Sequence, residues 1–167
     1  SPSSFTDSDE LLKKAKDMGI RISFIDSYTK EEIQEAYEQL EDDFVATMKH
    51  SAENIRKFHQ KQLHNSWIVP DDNGSILGQK ITPISISGVY VPGGKAAYPS
   101  SVLMNVIPAK VAGVSRIIMT TPPSADGKVN PGTLVAADIA GVDEIYKVGG
   151  AQAIAAMAFG TQSIPKV

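Results

Sequence analysis

The sequence predicts an α/β fold: a parallel sheet with flanking helices, preceded by a helical and β-hairpin segment that belongs to a second domain. Three observations predict it. Short apolar runs at 85–91, 116–121 and 144–148 each end abruptly in Gly or Pro, and each is followed by a helical pattern. The motif Ala112-Gly113-Val114-Ser115-Arg116-Ile117 returns one strand–helix unit later as Ala140-Gly141-Val142-Asp143-Glu144-Ile145. Each copy has a helix end, a left-handed Gly stop, an apolar staple and a new strand, which argues for parallel strands joined by right-handed crossovers. Upstream of residue 85 the pattern is instead long helices and one hairpin. The expected division is therefore 1–87 and 88–167.

Composition bounds the function. The chain has 167 residues, 42% hydrophobic and 21% charged, with a net charge of −3. That balance argues against a nucleic-acid binder, and no basic cluster exceeds Lys13-Lys14. No apolar run approaches a membrane span. The absence of cysteine excludes disulfides and thiolate metal sites. The start, Ser1-Pro2-Ser3-Ser4, has no signal-peptide core and no Met, and reads as a cut end or the remnant of a tag. A cytoplasmic enzyme piece fits these numbers.

The elements follow in order. Residues 1–7 read as a lead-in. Ser8 is placed to cap a short helix over 9–18, stopped by Gly19, and Ile20, Ile22 and Phe24 alternate as a weak strand. Thr29 and Glu32 form a capping box. Ile33, Tyr37, Leu40, Phe44, Met48, Ala52, Ile55 and Phe58 then keep helical spacing. One helix from there to Leu63 would be about 50 Å long at 1.5 Å per residue, so a break is predicted at Glu41-Asp42-Asp43, whose carboxylates suit a helix N-terminus better than a metal. Trp67-Ile68-Val69-Pro70 and the run 75–81 flank Asp71-Asp72-Asn73-Gly74 as a hairpin; the turn lacks the later glutamate of a calcium loop. His50, His59 and His64 have no metal-ligand spacing. A helix is predicted from Pro99 to Ala112, with a kink or early break at Pro108. Further helices are predicted from Asn130-Pro131 and over 151–159, the last stopped by Gly160.

The chemistry concentrates where the strands end. In Val148-Gly149-Gly150-Ala151-Gln152 a strand passes through two glycines into an alanine-rich helix. Bare backbone and a helix N-terminus at such a corner suit a phosphate or nucleotide, and Gln152 sits in the first helical turn. Alone, the corner reads first as a tight turn with no ligand; the further strand ends shift that balance. Pro92-Gly93-Gly94 after Tyr90 and Thr121-Pro122-Pro123 supply two more strand ends, so one functional sheet edge is expected. The usual dinucleotide fingerprint Gly-x-Gly-x-x-Gly is missing, and no acidic residue follows the second strand to hold a ribose.

Several runs resemble the histidinol dehydrogenase family. They are Tyr90-Val91-Pro92-Gly93-Gly94, then Tyr98-Pro99-Ser100-Ser101-Val102-Leu103-Met104-Asn105, Ile107-Pro108-Ala109-Lys110-Val111-Ala112-Gly113-Val114, Thr121-Pro122-Pro123, and Gly149-Gly150-Ala151-Gln152-Ala153-Ile154-Ala155-Ala156 through Gly160-Thr161. Ala52-Glu53-Asn54-Ile55, Phe58-His59, Lys61-Gln62-Leu63 and Trp67 extend the likeness, which covers roughly 29–167; residues 1–23 match poorly. The resemblance implies an incomplete Rossmann-like fold similar to aldehyde dehydrogenases, which accounts for the missing fingerprint. It implies a zinc-dependent homodimeric enzyme of histidine biosynthesis that oxidises L-histidinol through histidinal to L-histidine with NAD⁺. Tyr90 and Gln152 correspond to the family's NAD-binding tyrosine and glutamine; Pro92, Gly93, Gly94, Gly149 and Gly150 complete the expected cofactor-binding set. The family's third NAD contact, its catalytic Glu-His pair and its zinc ligands are expected beyond Val167, so no residue here is assigned a catalytic or metal role and the piece alone is expected to be inactive. The competing readings are a non-catalytic α/β binding module or truncated paralogue, and an aldehyde dehydrogenase-like enzyme with another alcohol substrate.

Overall fold

A computed structural model describes residues 27–93 and 97–167. The helix expected over 9–18, the alternation at Ile20, Ile22 and Phe24, and Gly94 lie outside the described residues. Helix α1 (Lys30–Glu38) opens on the predicted box: Thr29 Oγ1 accepts from the Glu32 N–H at 3.2 Å, and Glu32 Oε2 accepts from the Thr29 N–H at 2.9 Å. The predicted break follows. Helix α2 (Asp42–Gln60) begins at the acidic cluster, with Asp42 and Asp43 in its first turn. Strands β1 (Trp67–Pro70) and β2 (Ile76–Gln79) form an antiparallel hairpin around the turn at Gly74, where φ is +85°.

The second sheet has the order β3-β4-β5, all parallel: β3 (Ile86–Tyr90), β4 (Arg116–Thr120) and β5 (Glu144–Tyr146). The expected division between residues 87 and 88 falls inside β3. Helix α3 (Pro99–Val111) lies between β3 and β4 in the chain, α4 (Pro131–Ala140) between β4 and β5, and α5 (Gly150–Phe159) follows β5. Of the kink or early break expected at Pro108, the early break does not occur. The helix runs past it for another turn, because the carbonyl deprived of a partner belongs to exposed Met104. Both copies of the repeated motif end a helix in the same way. Gly113 and Gly141 are left-handed, and the N–H of Val114 and Val142 returns to Ala109 O and Ala137 O at 3.1 and 2.9 Å.

The sheet sorts its side chains by parity. Val89, Ile117, Met119 and Ile145 share a core with α3 and α4. Ile118 and Tyr146 pack instead with Met157 of α5 and Ile164. Helices α3 and α4 therefore cover one face and α5 the other. Helices α1 and α2 form an outer layer, α1 on α4 and α2 on α3 and α4, and add Ala36, Met48 and Ala52 to the first core. That second layer buries α4 over 132–137, beyond the sheet-facing stripe of Leu134, Val135, Ala137 and Ile139.

The strand ends meet at one residue. Pro122, just past β4, lies between the turns that follow β3 and β5. A Cβ added to Gly93 would sit 2.6 Å from Pro122 O and 2.8 Å from its Cγ; one added to Gly149 would sit 2.8 Å from the same Cγ. Both glycines are thus required by a proline ring that cannot yield. At the other end of the strands, the two copies of the repeat are tied to each other. Arg116 Nε donates to Glu144 Oε1 at 2.7 Å, and Asp143 Oδ2 accepts from Lys110 Nζ at 2.8 Å and from the Ile117 N–H at 2.7 Å.

Two outcomes are expected. Burial alone would raise the Asp143 carboxyl, but Lys110, the Ile117 N–H and Arg116 outweigh it and hold it below its ordinary value. Burial also opposes ionisation of Glu32, which Lys147 and the Thr29 N–H nonetheless hold low. Carboxyls depressed in the folded state add stability above the unfolded pKa and lose it as pH falls through the folded one. Urea stability should hold down to about pH 5 and fall below about pH 4. Asp143→Asn should cost about 1 kcal/mol at pH 7 and blunt that acid loss; identical acid sensitivity in both proteins would remove Asp143 as its source. Gly149→Ala should destabilise by about 1–3 kcal/mol through overpacking. Pro122→Gly in the same chain should recover much of it, whereas strictly additive effects in a double-mutant cycle would refute the wedge.

Candidate functional site

Tyr90 closes β3 and stands at the strand-end cluster. Its side chain is half exposed, and its Oη accepts from the Gly150 N–H at 3.2 Å. Gly149 enters α5 extended, at φ −133°, and no side chain caps the helix. Gly150 has φ +74°, a conformation that favours glycine. Gln152 folds back over it: a Cβ on Gly150 would lie 2.7 Å from Gln152 Oε1. Tyr90, Gly149, Gly150, Gln152 and Gly93 thus meet around Pro122, and Pro92 sits exposed in the same turn as Gly93. Of the predicted set, only Gly94 falls outside the described residues.

Two features went unread in the sequence. Pro122 registered as a strand stop, not as the wedge on which both glycine turns rest; the signal was a Pro at one strand end and Gly at the other two. Thr121, beside it, donates its N–H to Tyr146 O at 3.1 Å, while its hydroxyl is buried with no hydrogen-bond partner. The glycines also have a different immediate cause from the expected one. Their bare backbone accommodates Pro122, and what faces outward is the Tyr90 ring, the Gln152 amide and the α5 N-terminus.

The path of the chain sets the position of this corner. After two connections on one face, α5 crosses to the other and returns to β3. A Cβ on Gly88 would meet Met157 Sδ at 2.7 Å and Val167 Cγ2 at 3.1 Å. The winding direction therefore reverses beside β3, and Tyr90 ends that strand. In open α/β sheets ligands bind at the carboxyl ends of strands where the winding reverses. The donor set there fits a dinucleotide. It offers a flat ring with one hydroxyl, an amide that both donates and accepts, and an uncapped helix start with partial positive charge.

A separate cavity of about 260 Å³ lies between α1 and the loop before α4, lined by Tyr28, Glu32, Glu35, Asp126, Lys128 and Asn130 among others. None of the Tyr90 cluster lines it. Lys147 bridges its neighbourhood, bonding Glu32 Oε1 at 2.6 Å and lying 4.4 Å from the centre of the Tyr28 ring. Burial, then the Glu32 charge, pushes the Tyr28 phenol well above its ordinary value. Among the described residues no group of three or more His, Asp or Glu side chains could hold a metal, and no helix is long and apolar enough to cross a membrane. The described residues thus do not fit zinc.

Comparison with known proteins gives the family. A family model described as histidinol dehydrogenase matches residues 13–167. The histidinol dehydrogenase of Clostridium acetobutylicum is 60% identical over 139 residues, 83% of this chain and 32% of that protein. The Bacillus subtilis enzyme of the same name is 56% identical over 139 residues, 83% of this chain and 33% of that protein. The crystal structure of histidinol dehydrogenase from Elizabethkingia anophelis superposes with a TM-score of 0.82 at 36% identity, covering 96% of this chain and 37% of that one. The chain spans about a third of the length of the relatives it matches. Its sequence and its fold place it in the histidinol dehydrogenase family.

Proposed function

We propose that this chain supplies part of the NAD site of a histidinol dehydrogenase, as an N-terminal portion of a longer enzyme that oxidises L-histidinol to L-histidine. One observation carries the reading: Tyr90 ends the strand where the winding reverses and bonds the first N–H of the returning helix. NAD⁺ would supply the hydride acceptor. Tyr90 and Gln152 hold and orient it, the ring by apolar contact and the amide by hydrogen bonds. The turns at Pro92 and Gly93 and at Gly149 and Gly150 keep the backbone low beneath it, and Gly94 completes the proposed set by resemblance. The buried strand-end residues, Val91 and Thr121, shut water out from below.

Residues 88–167 act in this reading as a truncated NAD domain, and the helical and hairpin segment before them belongs to a catalytic domain completed by further polypeptide. The zinc ligands and the catalytic acid–base pair lie in that polypeptide, so no step is assigned here to zinc. A cytoplasmic homodimer is proposed for the longer enzyme, from family resemblance.

Calorimetric titration with NAD⁺ tests the site. Tyr90→Ala and Gln152→Ala are each expected to weaken binding about tenfold, the value of one hydrogen bond or ring contact near 1.4 kcal/mol. Equal heats from all three proteins would remove both residues from the site. The chain alone, given L-histidinol and NAD⁺, should produce no NADH absorbance; turnover would show that it holds its own catalytic groups.

A further inference from the structure

Two turns of this chain are built alike. In the hairpin, the Asp71 N–H donates to Ser75 O at 2.8 Å, the Gly74 N–H to Asp71 O at 3.0 Å, and the Ser75 N–H to Asn73 Oδ1 at 2.8 Å. In the loop before α4, the Ser124 N–H donates to Lys128 O at 2.7 Å, the Gly127 N–H to Ser124 O at 2.9 Å, and the Lys128 N–H to Asp126 Oδ1 at 3.0 Å. Gly74 and Gly127 are both left-handed, at φ +85° and +79°, with open space where a side chain would stand. The acceptor side chain differs: it is an amide at Asn73 and a carboxylate at Asp126. The anchors differ too. The second turn is held between buried Thr121 and Val129. The first joins two four-residue strands that are exposed throughout, and a two-stranded hairpin is marginal in water by itself.

An asparagine amide followed by glycine is open to attack by its own backbone. The Gly74 nitrogen, on losing its proton, bonds to Asn73 Cγ and closes a five-membered imide ring. The Cγ–Nδ2 bond breaks, and ammonia leaves with that proton. Water then opens the ring at either carbonyl. Cleavage of the new bond leaves aspartate; cleavage of the original peptide bond leaves isoaspartate, with the main chain rerouted through Cβ and Cγ. The net change is water for ammonia, and no oxidant is needed. The other asparagines are worse placed. Asn54 and Asn105 lie inside α2 and α3 and precede branched Ile55 and Val106. Asn130 precedes Pro131, which has no N–H to lose. Asn65 precedes Ser66, whose side chain crowds the nitrogen and whose Oγ accepts from the Ile81 N–H at 2.8 Å.

In the closed hairpin both reacting groups of the Asn73–Gly74 pair are occupied, the N–H by Asp71 O and the amide oxygen by the Ser75 N–H. Attack therefore waits for the hairpin to open. We propose that Asn73 is a site of spontaneous deamidation gated by the β1–β2 hairpin, its amide lost to water in the open form and its products sorted by whether the turn recloses. Asp126 shows how aspartate behaves there: its carboxylate accepts the same N–H, in a bond strengthened by charge. Isoaspartate puts an extra carbon into the main chain of the turn. That breaks the register pairing Trp67 with Gln79 and Pro70 with Ile76.

Incubation of this chain at mildly alkaline pH tests it, with mass spectrometry of the tryptic fragment 62–80, which holds both Asn65 and Asn73. Asn73 should gain the mass of an amide exchanged for an acid, and isoaspartyl methyltransferase should label the product, while Asn65 keeps its amide. Trp67, the chain's one tryptophan, reports on the gate, because its Nε1 donates across the hairpin to Gln79 Oε1 at 3.2 Å. As urea rises below the unfolding of β3–β5, Trp67 emission should shift and the rate at Asn73 should climb in step. In the open hairpin the rate should approach that of the peptide 62–80 in urea, about tenfold or more above the rate in water. Freshly prepared Asn73→Asp should keep the parent's Trp67 emission and release no ammonia from this turn; the isoaspartyl form, separated by chromatography, should show the emission of the open hairpin. An Asn73 amide that survives in the chain while the peptide loses it would overturn the proposal, as would conversion at Asn65 ahead of Asn73. A rate at Asn73 that ignores the Trp67 signal would overturn the gate. An open hairpin in Asn73→Asp would break the correspondence with Asp126.

Discussion

Pro122 fixes the working edge of this molecule. Three parallel strands end in register, at Tyr90, Thr120 and Tyr146, and their turns crowd together above the same edge. The proline ring is their common stop. It is rigid, it has no N–H to satisfy, and it occupies the space that side chains at Gly93 and Gly149 would need. Two turns distant in the chain are thereby pressed against the same few atoms. The bond from Gly150 to Tyr90 then ties the first strand's end to the last helix's start. Packing at the wedge comes first, and the polar groups of the corner inherit their positions from it.

The reversal of winding gives that corner its character. Two helices lie on one side of the sheet and the third on the other, with Gly88 left bare so that α5 can come close to β3. At such a point neighbouring connections diverge, and a crevice opens above the strand ends. In the reading proposed above, the chain offers a dinucleotide site without the glycine fingerprint. The close approach that a fingerprint secures between glycines and a phosphate is spent here on a proline, leaving a tyrosine, a glutamine and a helix end to face outward.

Much of this was legible because it is local. The Thr29–Glu32 box, the acidic start of α2, the hairpin turn and the paired Gly stops at Gly113 and Gly141 each depend on a few consecutive residues, and each stands where the sequence put it. Proximity of the three strand ends could be inferred from their shared βα rhythm. The wedge could not, since nothing local distinguishes a proline that ends a strand from one that also spaces two distant turns. Whether Pro108 would break its helix was not legible for a related reason: the cost depends on whether the abandoned carbonyl faces water, and that is set by tertiary packing. The outer layer of α1 and α2 was equally silent. An alanine-rich helix such as α4 shows its apolar content but not how many neighbours share it.

The short antiparallel contact between Ser27 and Tyr146 has a consequence for how the sheet can widen. Tyr28 donates its N–H to Ile145 O at 2.8 Å, so the outer rim of β5 is already occupied by the chain leading into α1. An incoming strand on that flank would first have to evict this lead-in and break the Glu32–Lys147 pair beside it. Growth is steered to the β3 flank, the side to which α5 has already carried the chain.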